Sequence, residues 1–365
     1  MPLSKRIVRA PLALLLAAAS LLVFGCSGQQ QGGAGAGGGD IRLQGAGSTF
    51  VNPLLQKWVS EYGKLMPNVK IDYQSIGSGG GIKQIKEQTI DFGASDAPMK
   101  DDDLKSAPGE IIHIPLVLGA VVITYNLQGV AKPLRFSSDV IADIFLGNIK
   151  KWDDPRIQTG NPGVSLPSND ITVVHRSDGS GTSAVFTDYL SKVSTEWKDK
   201  VGAGTSPNWP VGIGGKGNEG VTGQVKQTPD TIGYVEMAYA VKNNLPVSLI
   251  KNKSGSFVEP SLDTVSAAAA ESLPTTPEDL RVSITDPSGA NTYPISSYVY
   301  ALVYKEQKDA VKGKALVDFL WWGIHDGEGF AKDLQYAPLP RETVKRAEAK
   351  IDLIGSGGKT LRAAQ

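Results

Sequence analysis

The sequence contains few of the residues on which several classes of functional site depend. Among 365 residues there is one cysteine, Cys26, and there are three widely separated histidines, His113, His175 and His325. A single cysteine excludes an internal disulfide, and the scattered histidines lack the spacing of a zinc site. Basic and acidic residues balance at 37 each, and no basic run with interleaved aromatics occurs. The composition therefore argues against nucleic-acid binding and predicts no metal or other cofactor.

Long apolar runs are also scarce, and the notable one lies near the N-terminus, from Leu12 to Phe24. It is shorter than the roughly 20 residues that a bilayer-spanning helix needs. Basic residues precede it, as in an export signal. The string Val23-Phe24-Gly25-Cys26 resembles a bacterial lipobox, so we expect residues 1–25 to be a lipoprotein signal peptide. Cys26 would then be lipidated, and residues 26–39 would form a flexible Gly-rich tether. The alternative is a conventional signal peptide with an incidental cysteine.

Glycine and hydroxyl residues occur together at three places where a strand-like run gives way to a helical pattern. These are Gly45–Phe50, Gly77–Gly81 and Asp178–Ser183. Glycine allows tight turns and close approach, and a helix start presents unpaired N–H groups that favour an anion. Each string alone is also an ordinary helix N-cap. Because ligands of α/β proteins collect at the carboxyl ends of strands, the three loops together predict one oxyanion site.

Alternating strand and helix patterns predict a doubly wound α/β fold in two lobes. The predicted strands are Ile41–Leu43, Lys70–Gln74, Asp91–Ala94, Ile111–Ile114, Ala120–Tyr125, Ile171–Val174, Thr231–Val235 and Tyr298–Tyr304. The predicted helices are Pro53–Leu65, Ile82–Glu87, Asp139–Phe145, Ser183–Leu190, Ala310–Trp322 and Arg341–Ile351. Residues 212–220 are predicted to be a Gly-rich loop, and 254–276 a surface segment. We expect lobe I to comprise residues 40–116 and 293–365, and lobe II residues 117–292, with two crossing segments between them.

Seven separated motifs resemble, in order, those of the phosphate-binding proteins of bacterial ABC-type phosphate uptake systems, the PstS family. They are Gly45–Phe50, Ile76–Gly81, Asp91–Pro98, Gly147–Asp154, His175–Ser183, Gly212–Asn218 and Ile232–Val235. The resemblance covers about residues 43 to 340. It implies a type II periplasmic-binding-protein fold, with two doubly wound α/β lobes joined by a two-stranded hinge and phosphate buried between them. It also implies partners, the membrane permease and ATPase that carry phosphate onward.

The resemblance further implies a set of phosphate contacts at the matching positions. The contacts from lobe I are Ser48, Thr49, Phe50, Ser78 and Asp96. Those from lobe II are Arg176, Ser180, Gly181 and Thr182, and Asp178 supports the arginine. Arg176 can offer a planar fork to an anion, although an isolated arginine is more often a solvated surface cation. A carboxylate such as Asp96 is costly beside an anion unless that anion brings a proton, as phosphate does. The alternative for Asp96 is a helix cap.

Two further functions are compatible with the same loops. An exported phosphatase or serine hydrolase would use Ser180 as its nucleophile, but the surrounding Asp-Gly-Ser-Gly-Thr is not a Gly-x-Ser-x-Gly motif. A binder of another oxyanion, such as arsenate or sulfate, is the third hypothesis, and Asp96 argues against sulfate. We therefore expect a non-enzymatic phosphate-binding lipoprotein, anchored to a membrane and facing the periplasm, or the outside of a single-membrane cell.

Overall fold

The computed structural model describes residues 39–130 and 132–362. The predicted signal peptide, Cys26 and nearly all of the predicted tether lie outside the described residues. In the part of the chain that is described, no helix combines the length and the apolar character that crossing a bilayer requires.

Strands and helices alternate along most of the described chain. The strands are β1 Ile41–Gly47, β2 Val69–Ser75, β3 Phe92–Ser95, β4 Ile111–Asn126, β5 Arg135–Phe136, β6 Thr172–Arg176, β7 Ile213–Gly215, β8 Thr231–Glu236, β9 Leu249–Lys251, β10 Phe257–Val258, β11 Ser296–Tyr304, β12 Gly355–Ser356 and β13 Lys359–Thr360. The α-helices are α1 Asn52–Leu65, α2 Ser78–Lys86, α3 Asp101–Lys105, α4 Ser138–Leu146, α5 Pro155–Gly160, α6 Gly181–Val193, α7 Thr195–Lys200, α8 Gly217–Gln227, α9 Met237–Lys242, α10 Leu262–Ser272, α11 Ala310–Ile324 and α12 Arg341–Ile351. Short 3₁₀ helices cover Leu273–Thr275, Asp326–Phe330 and Lys332–Leu334.

One eight-stranded sheet runs through both lobes, in the order β2-β1-β3-β11-β4-β8-β6-β7. On the lobe I side β1 pairs in parallel with β2 and β3, and on the lobe II side β6 pairs in parallel with β7 and β8. The two sides meet at β4, which pairs antiparallel with β11 through residues 111–120 and with β8 through residues 121–126. The fold class predicted from the sequence is confirmed, while the exact lobe boundaries stay a prediction.

The chain passes between the lobes along two neighbouring segments. β4 changes its pairing partner from β11 to β8 between Ala120 and Val121, and the returning chain enters β11 at Ser296, which pairs with Ala120. The Val121 N–H donates to the Ile295 carbonyl at 2.9 Å, so the two crossings are hydrogen-bonded to each other. Because the connection consists of these paired strands, a change of lobe angle would bend the structure at this point.

The strands predicted at Ile111–Ile114 and Ala120–Tyr125 are in fact one strand of 16 residues. Pro115 has no N–H to donate, and the ladder accommodates it through a register shift between Val299 and Tyr300 on the partner strand. Gly119 does not break the strand either. A Cβ there would lie 2.4 Å from the Phe50 ring, so the glycine makes room for that ring against β4.

Two other segments differ from the sequence-based prediction. Residues 212–220, predicted as a loop, contain β7 and the start of α8. Their glycines serve a close turn, since a Cβ on Gly215 would lie 2.7 Å from the Gly220 backbone and Gly217 has φ +71°. The 254–276 segment, predicted to lie on the surface, includes α10, which buries Val265, Ala268 and Ala269. The first correction adds a further strand-to-helix junction near the predicted site.

Candidate anion-binding site

The residues that the resemblance assigns to phosphate lie together and are buried. They follow the carboxyl ends of β1, β2, β3 and β6, where these strands lead into α1, α2 and α6 or, for β3, into the loop before α3. Ser48, Ser78, Ser180 and Thr182 have no exposed surface, and Arg176 is 3% exposed. Thr49, Phe50, Asp96 and Gly181 are buried as well. The sequence therefore predicted which loops meet between the lobes.

Asp96 is the point at which side chains of the two lobes meet. The Ser48 hydroxyl donates to Asp96 Oδ1, and the Thr182 hydroxyl donates to Asp96 Oδ2 at 3.5 Å. The Asp96 N–H in turn donates to Ser78 Oγ at 3.3 Å. The carboxyl group thus accepts from β1-side and α6-side hydroxyls, and it is more than the simple helix cap that its position before Pro98 suggested.

Burial raises the pKa of Asp96 to about 7, although the Ser48 hydroxyl, the charge of Arg176 and the Thr182 hydroxyl act in the opposite direction. A buried carboxylate is costly because it loses its hydration, and the nearby donors offset only part of that loss. The carboxyl group therefore gains or loses its proton near neutral pH, where it can accept a hydrogen bond from a ligand that carries a proton.

Arg176 lies opposite Asp96 and is fixed by Asp178. The guanidinium donates from Nε to Asp178 Oδ1 at 2.8 Å and from Nη2 to Oδ2 at 2.6 Å, a bidentate pair. Its Nη1 lies 3.4 Å from Thr182 Oγ1, which links the cation to the Asp96 carboxyl. Burial disfavours ionisation of Asp178, but Arg176 and the Gly217 N–H outweigh it and hold the pKa of Asp178 below its ordinary value. The arginine is therefore a fixed buried cation, as the sequence suggested.

Glycine backbones bring the lobes into direct contact at the site. The Gly79 N–H donates to the Gly179 carbonyl at 2.9 Å, from the start of α2 to the loop before α6. A Cβ on Gly77, where φ is +85°, would lie 2.4 Å from that same carbonyl. A Cβ on Gly181 would lie 2.2 Å from Ser78 Oγ and 2.5 Å from Asp96 Oδ2. Side chains at these positions would hold the lobes apart, so the structure is a closed arrangement.

Asn218, at the start of α8, belongs to the site and was missed by the sequence-based interpretation. Its side chain is fully buried, and Nδ2 donates to Thr49 Oγ1 at 2.8 Å and to Thr182 Oγ1 at 3.1 Å. Its Oδ1 accepts the Glu236 N–H at 2.9 Å, which fixes the amide orientation. The signal that could have found it is the Gly-Asn pair at 217–218, which follows a glycine-rich run in the same way as the other loops.

Ser180 and Phe50 have structural as well as site roles. Ser180 Oγ accepts the Ser183 N–H at 3.0 Å, so Ser180 caps α6 and keeps the first turn of that helix at the site. Phe50 is completely buried, with its ring packed in the core beside Gly119. Only the backbone of Phe50 can therefore face an anion.

An open cavity of about 520 Å³ lies between the lobes beside Asp96 and Gly79. Lys83, Lys86 and Lys100 line it, together with apolar side chains of both lobes. Lys86 pairs with Asp103, which also lines the cavity, at 2.8 Å. These lysines line the same cavity as Asp96, but among the described residues none of them hydrogen-bonds to the Asp96 carboxyl group.

Comparisons with known proteins agree with this geometry. A model of the PBP superfamily domain matches residues 29–322. The phosphate-binding protein PstS of Xylella fastidiosa is 46% identical over 310 residues, 85% of this chain and 84% of that protein. The protein of the same name from Pasteurella multocida is 46% identical over 322 residues, 87% of this chain and 93% of that protein. The crystal structure of a phosphate-binding protein from Stenotrophomonas maltophilia has a TM-score of 0.65 at 18% identity and covers 84% of this chain and 93% of that one. The last of these likenesses concerns the fold alone. The two sequence relatives and the matching domain show that the chain belongs to the PstS family of phosphate-binding proteins, within the PBP superfamily.

Proposed function

We propose that this protein captures inorganic phosphate between its lobes, outside the cytoplasm, and delivers it to an ABC-type importer. The observation that carries the proposal is the presence of Arg176 and Asp96 in one buried site, joined through the hydroxyl of Thr182. The cation and the surrounding hydroxyls suit the charge of an oxyanion. The carboxyl group suits an oxyanion that still carries a proton.

Phosphate fits both requirements at neutral pH, and sulfate fits only the first. An ionised Asp96 accepts a hydrogen bond from a protonated oxygen but repels a fully deprotonated one. Because the site is buried, this repulsion is screened little by water. Arsenate resembles phosphate in protonation, so the same argument gives no reason for its exclusion.

We also propose that the protein has no catalytic turnover. A hydrolase that used Ser180 would need a base, and each of the three histidines has a ring nitrogen in contact with a group other than Ser180. His113 accepts the Met99 N–H at 3.0 Å, His175 Nδ1 lies 3.0 Å from the Arg176 carbonyl, and His325 pairs with Glu348 at 2.8 Å. Incubation with a chromogenic phosphate ester is expected to release no product above background, and steady turnover would favour the phosphatase.

The permease and ATPase of a phosphate importer are the proposed membrane partners. The family's role and the closed two-lobed structure support this part of the proposal, because a binding protein must pass its ligand to a transporter. We further propose that the protein is held at the membrane by lipid on Cys26, facing the periplasm or the cell exterior.

Cys26→Ser is expected to release the protein from the membrane, because the thiol is the proposed site of lipid attachment. Partition between detergent and aqueous phases should place the wild type in the detergent phase and the variant in the aqueous phase. Ser27→Ala, next to the cysteine, is the control and should partition like the wild type. Identical partitioning of the wild type and Cys26→Ser would overturn the lipid anchor.

Phosphate is expected to close and stabilise the lobes. Without an anion, closure leaves the buried Arg176 and Asp96 poorly hydrated, so the ligand-free protein should open toward water. Small-angle scattering should give a smaller radius of gyration with phosphate than without it. The melting temperature should rise with phosphate concentration, because bound phosphate adds about 2.7 kcal/mol to the free energy of unfolding at 100 times the Kd. No change in either quantity would contradict phosphate capture by closure.

A further inference from the structure

Three successive carbonyl groups of the phosphate loop, residues 48–50, each accept a hydrogen bond from a buried tyrosine. The pairs are Tyr73 with Ser48 at 2.7 Å, Tyr239 with Thr49 at 2.6 Å, and Tyr336 with Phe50 at 2.6 Å. We propose that these three tyrosines, here called the tyrosine cradle, are positioning residues that direct the N–H groups of the loop at the bound anion. This inference rests on the proposed phosphate-binding function.

The direction of the N–H groups follows from peptide geometry. In a trans peptide the carbonyl of one residue and the N–H of the next point in opposite directions. Fixing the Ser48 and Thr49 carbonyls on tyrosines therefore turns the Thr49 and Phe50 N–H groups away from the tyrosines. The next N–H, that of Val51, points to Ser48 Oγ at 3.3 Å, and this hydroxyl also donates to Asp96. The N–H groups of the loop thus lie on the side of the site.

Two of these N–H groups are available to a ligand. Within residues 39–130 and 132–362, the N–H groups of Thr49 and Phe50 have no hydrogen-bond acceptor, although both residues are buried. Buried N–H groups are nearly always paired, because an unpaired one loses the hydration it has in the unfolded chain. An oxyanion would supply the acceptor, and the backbone would contribute two donors in addition to the hydroxyls.

The cradle draws on both lobes. Tyr73 lies on β2, on the lobe I side of the sheet. Tyr336 lies beside the part of β4 that pairs with β11, since the N–H of the next residue, Ala337, donates to the Leu118 carbonyl at 3.0 Å. Tyr239 instead lies on α9, after β8, on the lobe II side of the sheet. Its bond to Thr49 can form only when the lobes meet. The loop is therefore completed by closure, which couples the direction of its N–H groups to the lobe angle.

Carboxyl groups near two of the hydroxyls do not displace the carbonyl contacts. Tyr239 also approaches Glu219 Oε1 at 2.9 Å, and Tyr336 approaches Glu236 Oε2 at 3.3 Å. A hydroxyl has one hydrogen to donate, and in each tyrosine the carbonyl oxygen is the nearer acceptor, at 2.6 Å. The single hydrogen is therefore assigned to the loop.

Tyr73→Phe, Tyr239→Phe and Tyr336→Phe test the cradle, since each keeps the ring and removes only the hydroxyl. Each is expected to weaken phosphate binding about fivefold, the effect of one orienting hydrogen bond, in calorimetry on ligand-stripped protein. Tyr239→Phe should also release phosphate faster, because among the three carbonyl contacts of the cradle only that of Tyr239 joins the two lobes. Selective ¹⁵N-phenylalanine labelling provides a second readout: phosphate should shift the Phe50 amide resonance, and the variants should reduce that shift.

The matched control is Tyr304→Phe, which removes a hydroxyl that donates to the Ile85 carbonyl at 2.9 Å, on β11 and away from the loop. It should bind phosphate like the wild type. If the wild type binds phosphate and all three cradle variants bind it equally well with an unchanged Phe50 shift, the cradle is overturned and the function stands. If the wild type does not bind phosphate, the proposed function fails first. Should one variant not fold, the remaining two and the Phe50 resonance decide the question.

Discussion

Asp96→Asn is expected to weaken phosphate binding by about 10- to 100-fold and to reduce the difference in affinity between phosphate and sulfate. The expected loss is the contribution that a hydrogen bond to a charged group makes to binding. The asparagine oxygen can still accept the ligand's proton, but without the negative charge that strengthens this bond. Its amide group can donate to sulfate, which the carboxylate repels. Calorimetry on ligand-stripped protein with both anions would measure the two affinities.

The control for Asp96→Asn is Asp102→Asn, which removes the same charge from a side chain that is 98% exposed on α3. It should leave both affinities unchanged. If Asp96→Asn keeps the wild-type affinity for phosphate and still excludes sulfate, then Asp96 only organises the hydroxyls around it, and selectivity arises elsewhere.

The same variant has a second readout, the pH dependence of stability. Burial raises the pKa of Asp96 to about 7, above its ordinary value near 4, so the native protein binds this proton more tightly than the unfolded chain. In the closed arrangement the free energy of unfolding should therefore fall between about pH 4 and pH 7, by up to about 4 kcal/mol from this group, and in the ligand-free protein the fall should be smaller to the extent that the lobes open and hydrate Asp96. Asp96→Asn should reduce this dependence of the free energy of unfolding on pH, and without ligand its melting temperature at pH 8 should be above that of the wild type. Added phosphate should raise the melting temperature of the wild type again. An unchanged slope would show that Asp96 is not the group responsible.

Arg176→Ala is expected to weaken phosphate binding by about 30- to 150-fold, since it removes the buried cation and a charge-assisted contact of about 2–3 kcal/mol. It should also lower stability, because Asp178, with a side chain only 13% exposed, loses its partner. The measurements are calorimetry with phosphate and thermal unfolding of each variant. Arg176→Lys keeps the charge without the planar fork and should bind with intermediate affinity.

A double substitution separates the two effects of Arg176. Arg176→Ala with Asp178→Asn removes both charges of the pair, so it should recover stability without recovering phosphate affinity. Arg156→Ala is the surface control, since Arg156 forms a comparable pair with Asp154 but is 44% exposed. Its affinity for phosphate should equal that of the wild type. Near wild-type binding by Arg176→Ala would show that the arginine serves the fold alone.

The three loops of the site and the buried face of α1 could be predicted from the sequence, because each depends on residues that are close together in the chain. The three loops of glycine and hydroxyl residues meet around Asp96, because each follows a strand of the same sheet. The helical spacing of Leu54, Leu55, Trp58 and Tyr62 likewise predicted the buried face of α1. Both inferences need only the period of a helix and the direction of parallel strands.

The remaining features depend on contacts between distant residues. Gly119 lies between two predicted strands, and only the structure shows the Phe50 ring packed against it. Asn218 lies in the segment predicted as a loop, and only the structure shows Thr49 and Thr182 beside it. The cradle tyrosines at 73, 239 and 336 resemble ordinary core residues in the sequence. Only the fold brings their hydroxyls to three consecutive carbonyl groups.

We propose that this site selects phosphate by its charge and its proton together. The most direct test is calorimetric titration of the ligand-stripped protein, without its first 25 residues, with phosphate, arsenate and sulfate at pH 8. We expect one phosphate bound per chain, arsenate bound at the same site, and no heat from sulfate at concentrations that saturate phosphate binding. Equal binding of sulfate and phosphate, or no phosphate binding, would contradict it.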